Sequence, residues 1–224
     1  MRSSYALVVD DIEECALIGR RILQNEGCEV VVATTGSTAL DLARSVRPEL
    51  VLLDIGLPDI DGLEVCRRLR EFTDAYVVMI TSRDTEVDRI LGLSAGADDY
   101  VTKPFSVPEL SLRIKAMRRR PRPRTDVLRV FEDLEIDPIA REVLVAGDQI
   151  DLTRTEFDLL ETLTASPRRP FSRPALMLSV WGSGYGDEHL VDVHMGNLRR
   201  KLGESATDPR HLKTLRGVGY RFDP

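Results

Sequence analysis

Long apolar runs, paired cysteines and aromatic residues are all scarce in this chain of 224 residues. No apolar run reaches membrane-spanning length. The first residues show no signal-peptide pattern, so we expect a cytoplasmic protein. The three cysteines are odd in number and lack metal-ligand spacing, which argues against a disulfide framework and predicts inert thiols in a reducing compartment. The length suits two domains, each with its own core.

Charge is distributed unevenly along the chain. The net charge of -6 falls on residues 1–118, and the remainder is neutral. Within that remainder, the stretch from residue 197 to residue 221 has only two acidic residues, Glu204 and Asp208. Its basic residues are Arg199, Arg200, Lys201, Arg210, Lys213, Arg216 and Arg221. A local basic stripe is the footprint of a DNA-binding surface, although a solvated face has the same composition.

The first half alternates short apolar runs with longer amphipathic ones. The short runs are rich in Val, Ile and Leu and do not alternate with polar residues, as in strands buried on both faces of a parallel sheet. They cover residues 6–10, 29–33, 50–54, 76–81 and 99–102. Helical patterns cover residues 13–25, 37–46, 63–70, 85–95 and 107–117. The pattern predicts an α/β doubly wound, five-stranded parallel sheet.

The second half has a different pattern, which predicts an α+β domain. Residues 119–126 are basic and interrupted by prolines, which predicts a linker between a domain at residues 1–118 and a domain at residues 127–224. Four short strand-like runs between residues 128 and 152 predict a small antiparallel sheet. A final strand pair is expected at 212–215 and 219–222.

Three helices are predicted between these strands. Thr153 and Glu156 form a capping box that opens the first helix. Ser172 caps the second, with Pro174 tolerated in its first turn. The third is expected from about Glu188 to Leu202, ahead of a glycine.

Polar residues stand at the carboxyl ends of the predicted parallel strands, where such sheets bind ligands. They are Asp10, Asp11, Asp54, Thr81 and Lys103. Carboxylates this close repel one another unless a cation neutralises them, and oxygen ligands favour Mg²⁺. A carboxylate can also be a nucleophile toward phosphorus, with lysine and threonine stabilising the phosphoryl group.

Four segments resemble the receiver domain of bacterial response regulators, a flavodoxin-like (CheY-like) fold. They are Val8-Val-Asp-Asp11, residues 53–62, Ile80-Thr-Ser82 and residues 96–105. The resemblance implies that a sensor histidine kinase phosphorylates Asp54, with Mg²⁺ held by Asp10, Asp11 and Asp54 and with Thr81 and Lys103 assisting. It also implies a cis peptide bond between Lys103 and Pro104, and a switch in which Thr81 moves toward the phosphoryl group and Tyr100 turns inward.

Three positions depart from what the family often carries. Ile12 stands where a further acidic residue is common. Gly56, two residues past Asp54, offers no side chain over the site. Arg83, two past Thr81, could reach toward the phosphoryl group, so the phosphoryl lifetime cannot be copied from relatives.

The third carboxy-terminal helix is predicted to have two faces. Its inward stripe comprises Val191, His194, Met195, Leu198 and Leu202. The opposite face carries His189, Val193, Gly196, Asn197 and Arg200, which with Arg199 are the predicted DNA contacts. Arg216 lies on a tight turn between two strands, as a minor-groove arginine on a wing would.

Residues 152–160, 180–182, 191–202 and 215–222 resemble the winged helix-turn-helix effector of the OmpR/PhoB family. The resemblance implies a recognition helix at 188–202, a wing around Arg216 and a loop from Ser179 to Asp187 that can touch RNA polymerase. Trp181 and His194 are expected to pack inside.

One winged helix covers few base pairs, so we expect phosphorylation to promote a homodimer that binds direct repeats. The resemblance implies three pairs across the dimer: Arg89 with Glu109, Asp99 with Arg113, and Asp98 with Arg120. An apolar centre of Ile90, Leu93 and Leu110 is expected between them.

Two other functions are compatible with part of this pattern. A phosphatase of the haloacid dehalogenase type uses similar strand-end residues, but it needs an Asp-x-Asp pair and the residue two past Asp10 is Ile12. An atypical receiver could instead regulate DNA binding without phosphorylation. The full set of Asp, Thr and Lys favours a phosphorylated regulator, which would catalyse only its own phosphorylation and dephosphorylation.

Overall fold

The computed structural model describes residues 4–83, 85–118, 127–182 and 187–224. Two compact units comprise residues 1–115 and 116–224. The predicted linker at 119–126 lies outside the described residues. Among the residues described, no helix combines the length and apolar character needed to cross a bilayer.

The first unit is a parallel sheet with flanking helices, in the strand order β2-β1-β3-β4-β5. The strands are β1 (Ser4–Val9), β2 (Cys28–Ala33), β3 (Leu50–Leu53), β4 (Tyr76–Thr81) and β5 (Asp99–Thr102). The helices are α1 (Glu13–Asn25), α2 (Gly36–Val46), α3 (Gly62–Arg70), α4 (Glu86–Ser94) and α5 (Val107–Arg118). Every residue of β3 and β4 is buried, which explains why these runs lack polar alternation. The predicted fold class is confirmed.

The strand order places the functional edge of this sheet. From β1 the chain leaves in one direction to β2 and returns to β3 on the other side of β1. In doubly wound sheets, ligands bind where the order reverses, outside the carboxyl ends of the strands. Here that crevice lies beyond Val9 of β1 and Leu53 of β3.

In its described residues, the second unit contains two antiparallel sheets and three helices. Strands β6 (Arg129–Phe131), β7 (Leu134–Asp137), β8 (Glu142–Val145) and β9 (Asp148–Gln149) form the first sheet. They are followed by α6 (Arg154–Thr164), β10 (Phe171–Ser172), α7 (Arg173–Trp181), α8 (His189–Lys201), β11 (Leu212–Leu215) and β12 (Gly219–Phe222). Thr153 and Glu156 form the predicted capping box, and Ser172 caps α7.

Two features of this unit differ from the prediction. Strand β10 was not predicted; it pairs with β12 and completes a sheet in the order β10-β12-β11. A Cβ at Gly219 would lie 2.1 Å from the carbonyl oxygen of Phe171, so this pairing requires glycine. The predicted loop at residues 179–187 is also wrong at its start, because α7 continues to Trp181. Residues 183–186 lie outside the described part.

Candidate phosphoryl-acceptor site and nucleic-acid interface

Three carboxylates meet beyond β1 and β3. Asp10 follows β1, and its N–H donates to the carbonyl oxygen of Ala33 at the end of β2. Asp54 follows β3, and its N–H donates to the carbonyl oxygen of Val9 at 2.8 Å. One carboxylate oxygen from each of Asp10, Asp11 and Asp54 lies within 4.8 Å of the others. Asp10 and Asp54 are buried whereas Asp11 is exposed, so the cluster lies at the surface end of the crevice.

Lys103 supplies the positive charge that faces these carboxylates. Its Nζ lies 2.8 Å from Oδ2 of Asp10 and 3.4 Å from Oδ1 of Asp54. Burial raises the pKa of Asp54, and the charge of Lys103 opposes that effect. Burial also disfavours the charged lysine, but Asp10 and Asp54 outweigh it and the pKa of Lys103 is raised. The peptide bond that follows Lys103 is cis, as the resemblance implied.

One lysine cannot balance three carboxylates. The ligand atoms present are all carboxylate oxygens, which hard divalent cations prefer, and the exposed side of the cluster leaves room for water or phosphate oxygens. The residues therefore fit Mg²⁺. Receiver domains conventionally bind this ion at such acidic residues.

The two predicted switch residues lie on neighbouring strands, β4 and β5. Thr81 is buried, and its Oγ1 accepts a hydrogen bond from the N–H of Arg83 at 3.2 Å. Tyr100 is also buried, and its hydroxyl donates to the carbonyl oxygen of Arg83 at 2.7 Å. Both side chains thus hold the segment that follows β4. The ring of Tyr100 is turned inward in this structure, and the movement of Thr81 and Tyr100 on phosphorylation stays a prediction.

The structure shows where the three residues that depart from the common receiver pattern lie. A Cβ at Gly56 would lie 3.6 Å from Oδ2 of Asp54, so this position does face the site. Ile12 is half exposed, and its N–H donates to Oδ1 of Asp10. Arg83 turns to Asp61, with Nη2 3.2 Å from Oδ2, rather than to the cluster.

Sequence reasoning missed Asp59, which anchors the loop between β3 and α3. Its carboxylate accepts hydrogen bonds from the N–H groups of Gly36 and Ser37 at 2.7 and 2.9 Å. These bonds cap the start of α2 and hold the pKa of Asp59 well below its usual range, with the Ser37 N–H as the largest cause. The loop that carries Gly56 is thereby tied to a helix. Asp59 lies six residues past the end of β3, and an aspartate at that distance gives no distinct signal in the sequence.

Four of the six residues predicted for a dimer interface, Asp98, Asp99, Glu109 and Arg113, form ion pairs within the chain. Arg113 binds Oδ2 of Asp99 at 2.8 Å and Oε1 of Glu109 at 2.9 Å. Asp98 accepts from Arg70 at 2.6 Å and from the N–H of Val77 at 2.8 Å. Arg89 lies on α4, and Arg120 is outside the described residues. The cross-dimer pairs stay a prediction.

The expected apolar centre of that interface is wrong for two of its three residues. Leu93 and Leu110 are buried, whereas Ile90 on α4 is exposed. Other exposed apolar side chains on these helices are Val87, Leu91, Val107 and Leu112.

Helix α8 has the two predicted faces. Val191, His194, Met195, Leu198 and Leu202 are all buried, as expected for the inward stripe. Trp181 is also buried, with its ring centroid 5.6 Å from that of His194. Packing of α7 against α8 therefore accounts for both residues without assigning them to DNA.

The opposite face of α8 is only partly exposed to solvent. His189, Gly196 and Arg200 are exposed, and Val193 is half buried. Asn197 is buried, contrary to the prediction, and its Oδ1 accepts from Nη2 of Arg200 at 3.1 Å. Arg216 is exposed on the turn between β11 and β12, as a wing residue requires.

Arg199 was predicted to be a DNA contact, but the structure gives it a different task. The side chain is buried, and its Nη2 donates to the carbonyl oxygen of Leu212 at 2.6 Å and to Oγ1 of Thr214 at 2.8 Å. The guanidinium also lies over the ring of Tyr220. Arg199 therefore fixes α8 to the β11–β12 hairpin and sets the distance between helix and wing.

Asp192 performs a related task that the sequence did not reveal. Its Oδ1 accepts from the hydroxyl of Tyr220 at 2.6 Å and from Nε of Arg173 at 2.7 Å. One carboxylate thus joins the start of α7, the first turn of α8 and strand β12. Burial raises the pKa of Tyr220 to about 12, and the hydrogen bond to Asp192 adds to the shift. The helix and the hairpin that carry the predicted DNA contacts are therefore held by polar bonds as well as by apolar packing.

Comparisons with known proteins agree with both units. Residues 6–115 match the family described as "Response regulator receiver domain", and residues 147–222 match "Transcriptional regulatory protein, C terminal". The chain is 44% identical over 219 residues to the response regulator MprA of Mycobacterium avium, covering 96% of each protein. It is 43% identical over 219 residues to the DNA-binding response regulator MtrA of Mycolicibacterium smegmatis, covering 97% of this chain and 96% of that one.

Solved structures give the same result. A mutant of the protein RitR matches with a TM-score of 0.78 and 26% identity, covering 99% of both chains. DrrB of Thermotoga maritima, described as an OmpR/PhoB homolog, matches with a TM-score of 0.54 and 31% identity, covering 99% of this chain and 100% of that one.

The receiver fold, the strand-end acidic cluster and the winged helix define a response regulator that acts on transcription. The chain belongs to the OmpR/PhoB family of two-component response regulators. It is a DNA-binding protein whose transcriptional function depends on phosphorylation and whose partner is a sensor histidine kinase.

Proposed function

We propose that Asp54 is the phosphoryl acceptor of this regulator. The observation that carries the proposal is the position of Lys103, whose Nζ lies 2.8 Å from Asp10 and 3.4 Å from Asp54. Asp54 offers a carboxylate oxygen that can form a bond to phosphorus as the bond to the donor histidine breaks. Lys103 then stabilises the charge of the phosphoryl group, and Thr81 can donate its hydroxyl once it turns from Arg83.

Asp10, Asp11 and Asp54 would hold Mg²⁺. The bound ion would neutralise the carboxylates and the incoming phosphoryl oxygens. The protein's own residues do the positioning: the backbone of Val9 fixes Asp54, and that of Ala33 fixes Asp10. The chain would thereby catalyse its own phosphorylation and dephosphorylation, with no other substrate.

We also propose that phosphorylation favours a homodimer through α4, β5 and α5, and that the dimer binds direct repeats. The major groove would be contacted by four residues of α8: His189, Val193, Gly196 and Arg200. The minor groove would be contacted by Arg216. Arg199 and Asn197 would position this surface from behind. The part of the predicted loop that follows α7 would contact RNA polymerase. The protein would act in the cytoplasm.

The test is labelling of the full chain by acetyl phosphate in the presence of Mg²⁺. Asp54→Asn should abolish labelling, because the amide is a poor nucleophile, and Asp11→Ala should slow labelling by weakening the metal site. Asp41→Asn, a matched change at an exposed position on α2, is the control and should label like the parent.

Each outcome has a distinct meaning. Labelling that survives in Asp54→Asn at an acid-labile site would show that the acceptor is another residue. Absence of labelling in the parent chain would favour a receiver that works without phosphorylation. Steady turnover of phosphate esters would favour a phosphatase of the haloacid dehalogenase type.

A further inference from the structure

A second group of candidate metal ligands lies in the carboxy-terminal unit. Glu132 and Asp133 occupy the turn between β6 and β7, and His211 precedes β11. One ligand atom from each residue lies within 4.8 Å of the others. Acidic residues near a histidine are common on protein surfaces, so the burial and bonding of each residue decide whether the group has a function.

His211 is 1% exposed, and its two ring nitrogens have different surroundings. Nδ1 lies 3.1 Å from the carbonyl oxygen of Asp223, which can only accept a hydrogen bond. Nδ1 therefore carries the proton of a neutral ring, and the lone pair is on Nε2. Nε2 is buried and has no hydrogen-bond partner among the described residues. A histidine that donates one ring N–H to a carbonyl and leaves the other nitrogen free has the arrangement of a metal ligand.

Asp133 completes the argument from the opposite side. Its Oδ2 binds Nη1 of Arg210 at 2.9 Å. Its Oδ1 is buried, has no hydrogen-bond partner in the described part of the chain, and lies 3.9 Å from Nε2 of His211. That distance is too long for a hydrogen bond. Two buried lone-pair atoms that face each other without a donor are costly, and a cation shared between them removes the cost.

We propose that Glu132, Asp133 and His211 bind a divalent transition metal ion, with Zn²⁺ the best fit. An imidazole with two carboxylates suits Zn²⁺ better than Mg²⁺, which prefers oxygen ligands alone. The three atoms would close by small side-chain rotations to reach bond lengths of about 2.0–2.2 Å. Glu132 is exposed, so it can supply its carboxylate without breaking a buried contact. A water molecule would take the fourth position.

The site would have a structural role. Glu132 and Asp133 lie in the turn that joins β6 and β7 of the four-stranded sheet, whereas His211 leads into β11 of the other sheet. The ring of His211 stacks on Phe222 of β12, with centroids 5.4 Å apart. A metal ion bound here would join the first sheet of the effector to the hairpin that carries Arg216. Binding would therefore favour the folded effector over the unfolded chain.

The test is calorimetric titration of Zn²⁺ into the full chain, stripped of metal and kept in excess Mg²⁺ so that the cluster at Asp54 is saturated. The parent should bind one Zn²⁺. Glu132→Gln should lower the affinity at least about tenfold, and His211→Gln should abolish binding. Glu142→Gln, a matched change at an exposed position on β8, should bind like the parent.

The result that overturns the proposal is equally definite. If the parent binds no Zn²⁺, or if Glu132→Gln and His211→Gln both bind it like the parent, the site does not exist. Glu132 is exposed, so its variant tests the proposal even if His211→Gln fails to fold. Circular dichroism of both variants separates loss of a ligand from loss of the fold.

Discussion

Gly92 on α4 is where the inward position of Tyr100 can be tested by adding a single methyl group. A Cβ built at this glycine would lie 2.8 Å from Sδ of Met79 and 3.0 and 3.1 Å from two ring atoms of Tyr100. The ring of Tyr100 cannot move away easily, because its hydroxyl donates a hydrogen bond to the carbonyl oxygen of Arg83. Gly92→Ala should therefore force Tyr100 away from its inward position or displace Met79.

The size of the effect follows from two opposing contributions. Replacing glycine by alanine inside a helix stabilises it by about 1 kcal/mol. Overpacking a buried site costs about 1–3 kcal/mol, although the flexible Met79 side chain can relieve part of this cost. Gly92→Ala should thus be neutral or destabilising in urea unfolding. Gly196→Ala is the matched control, because no atom lies within 4 Å of its added Cβ, and it should be stabilising.

Two measurements then locate the cause. Labelling of Asp54 should be unchanged in Gly92→Ala, whereas the phosphorylated variant should form fewer dimers in sedimentation if the inward ring favours the dimer. In a Tyr100→Ala background, the same methyl group should have a much smaller cost. An equal cost of Gly92→Ala in both backgrounds would refute the reasoning, because it would show that the ring of Tyr100 is not what resists the methyl group.

The remaining predictions concern DNA binding, dimerisation and alkaline stability. Arg200→Ala and Arg216→Ala should each weaken specific binding by about 1–3 kcal/mol if they read bases, or lower the salt slope by about one if they touch phosphates. Unchanged affinity in both would refute their placement. Arg113→Glu should leave labelling intact but prevent phosphorylation-induced dimers, and adding Asp99→Arg should restore some of them; normal dimers in the single variant would exclude this interface. A tyrosine in the unfolded chain ionises at a pH of about 10, whereas the pKa of Tyr220 in the folded chain is about 12. Between these two pH values only the unfolded chain loses the tyrosine proton, so the free energy of unfolding should fall as the pH rises. Tyr220→Phe should lack that part of the slope in urea titrations, and an identical slope would contradict the assignment.

The phosphoryl site could be predicted from sequence because a parallel sheet brings its strand ends to one edge. Asp10, Asp54 and Lys103 lie far apart in the chain, but each directly follows a buried apolar run. A close approach of the backbone also explains why position 62 is glycine. A Cβ there would lie 2.2 Å from the carbonyl oxygen of Asp54, so the motif that contains both residues requires glycine at its end.

Side chains that bridge separate elements could not be predicted in this way. A helical pattern gives the direction of each Cα–Cβ bond, and it placed Arg199 near the exposed face of α8. The pattern does not show that the long side chain of Arg199 can bend toward β11. There its guanidinium donates hydrogen bonds to Leu212 and Thr214. Strand β10 was missed because two residues are too short for a periodic signal. The pair of Asp133 and His211 was missed because no regular spacing relates residues so distant in the chain.

The charges of the proposed dimer interface show why sequence alone cannot choose between partners. Asp99 is fully buried, so it needs a cation, and in this chain Arg113 provides it. If a two-fold dimer exchanged each Arg113 for that of the other copy, every Asp99 would lose one guanidinium and gain another. The number of ion pairs would not change, so such an exchange contributes specificity rather than net free energy. The driving force for association must then come from burial of exposed apolar side chains on the same helices, of which Ile90, Leu91 and Leu112 are the largest candidates.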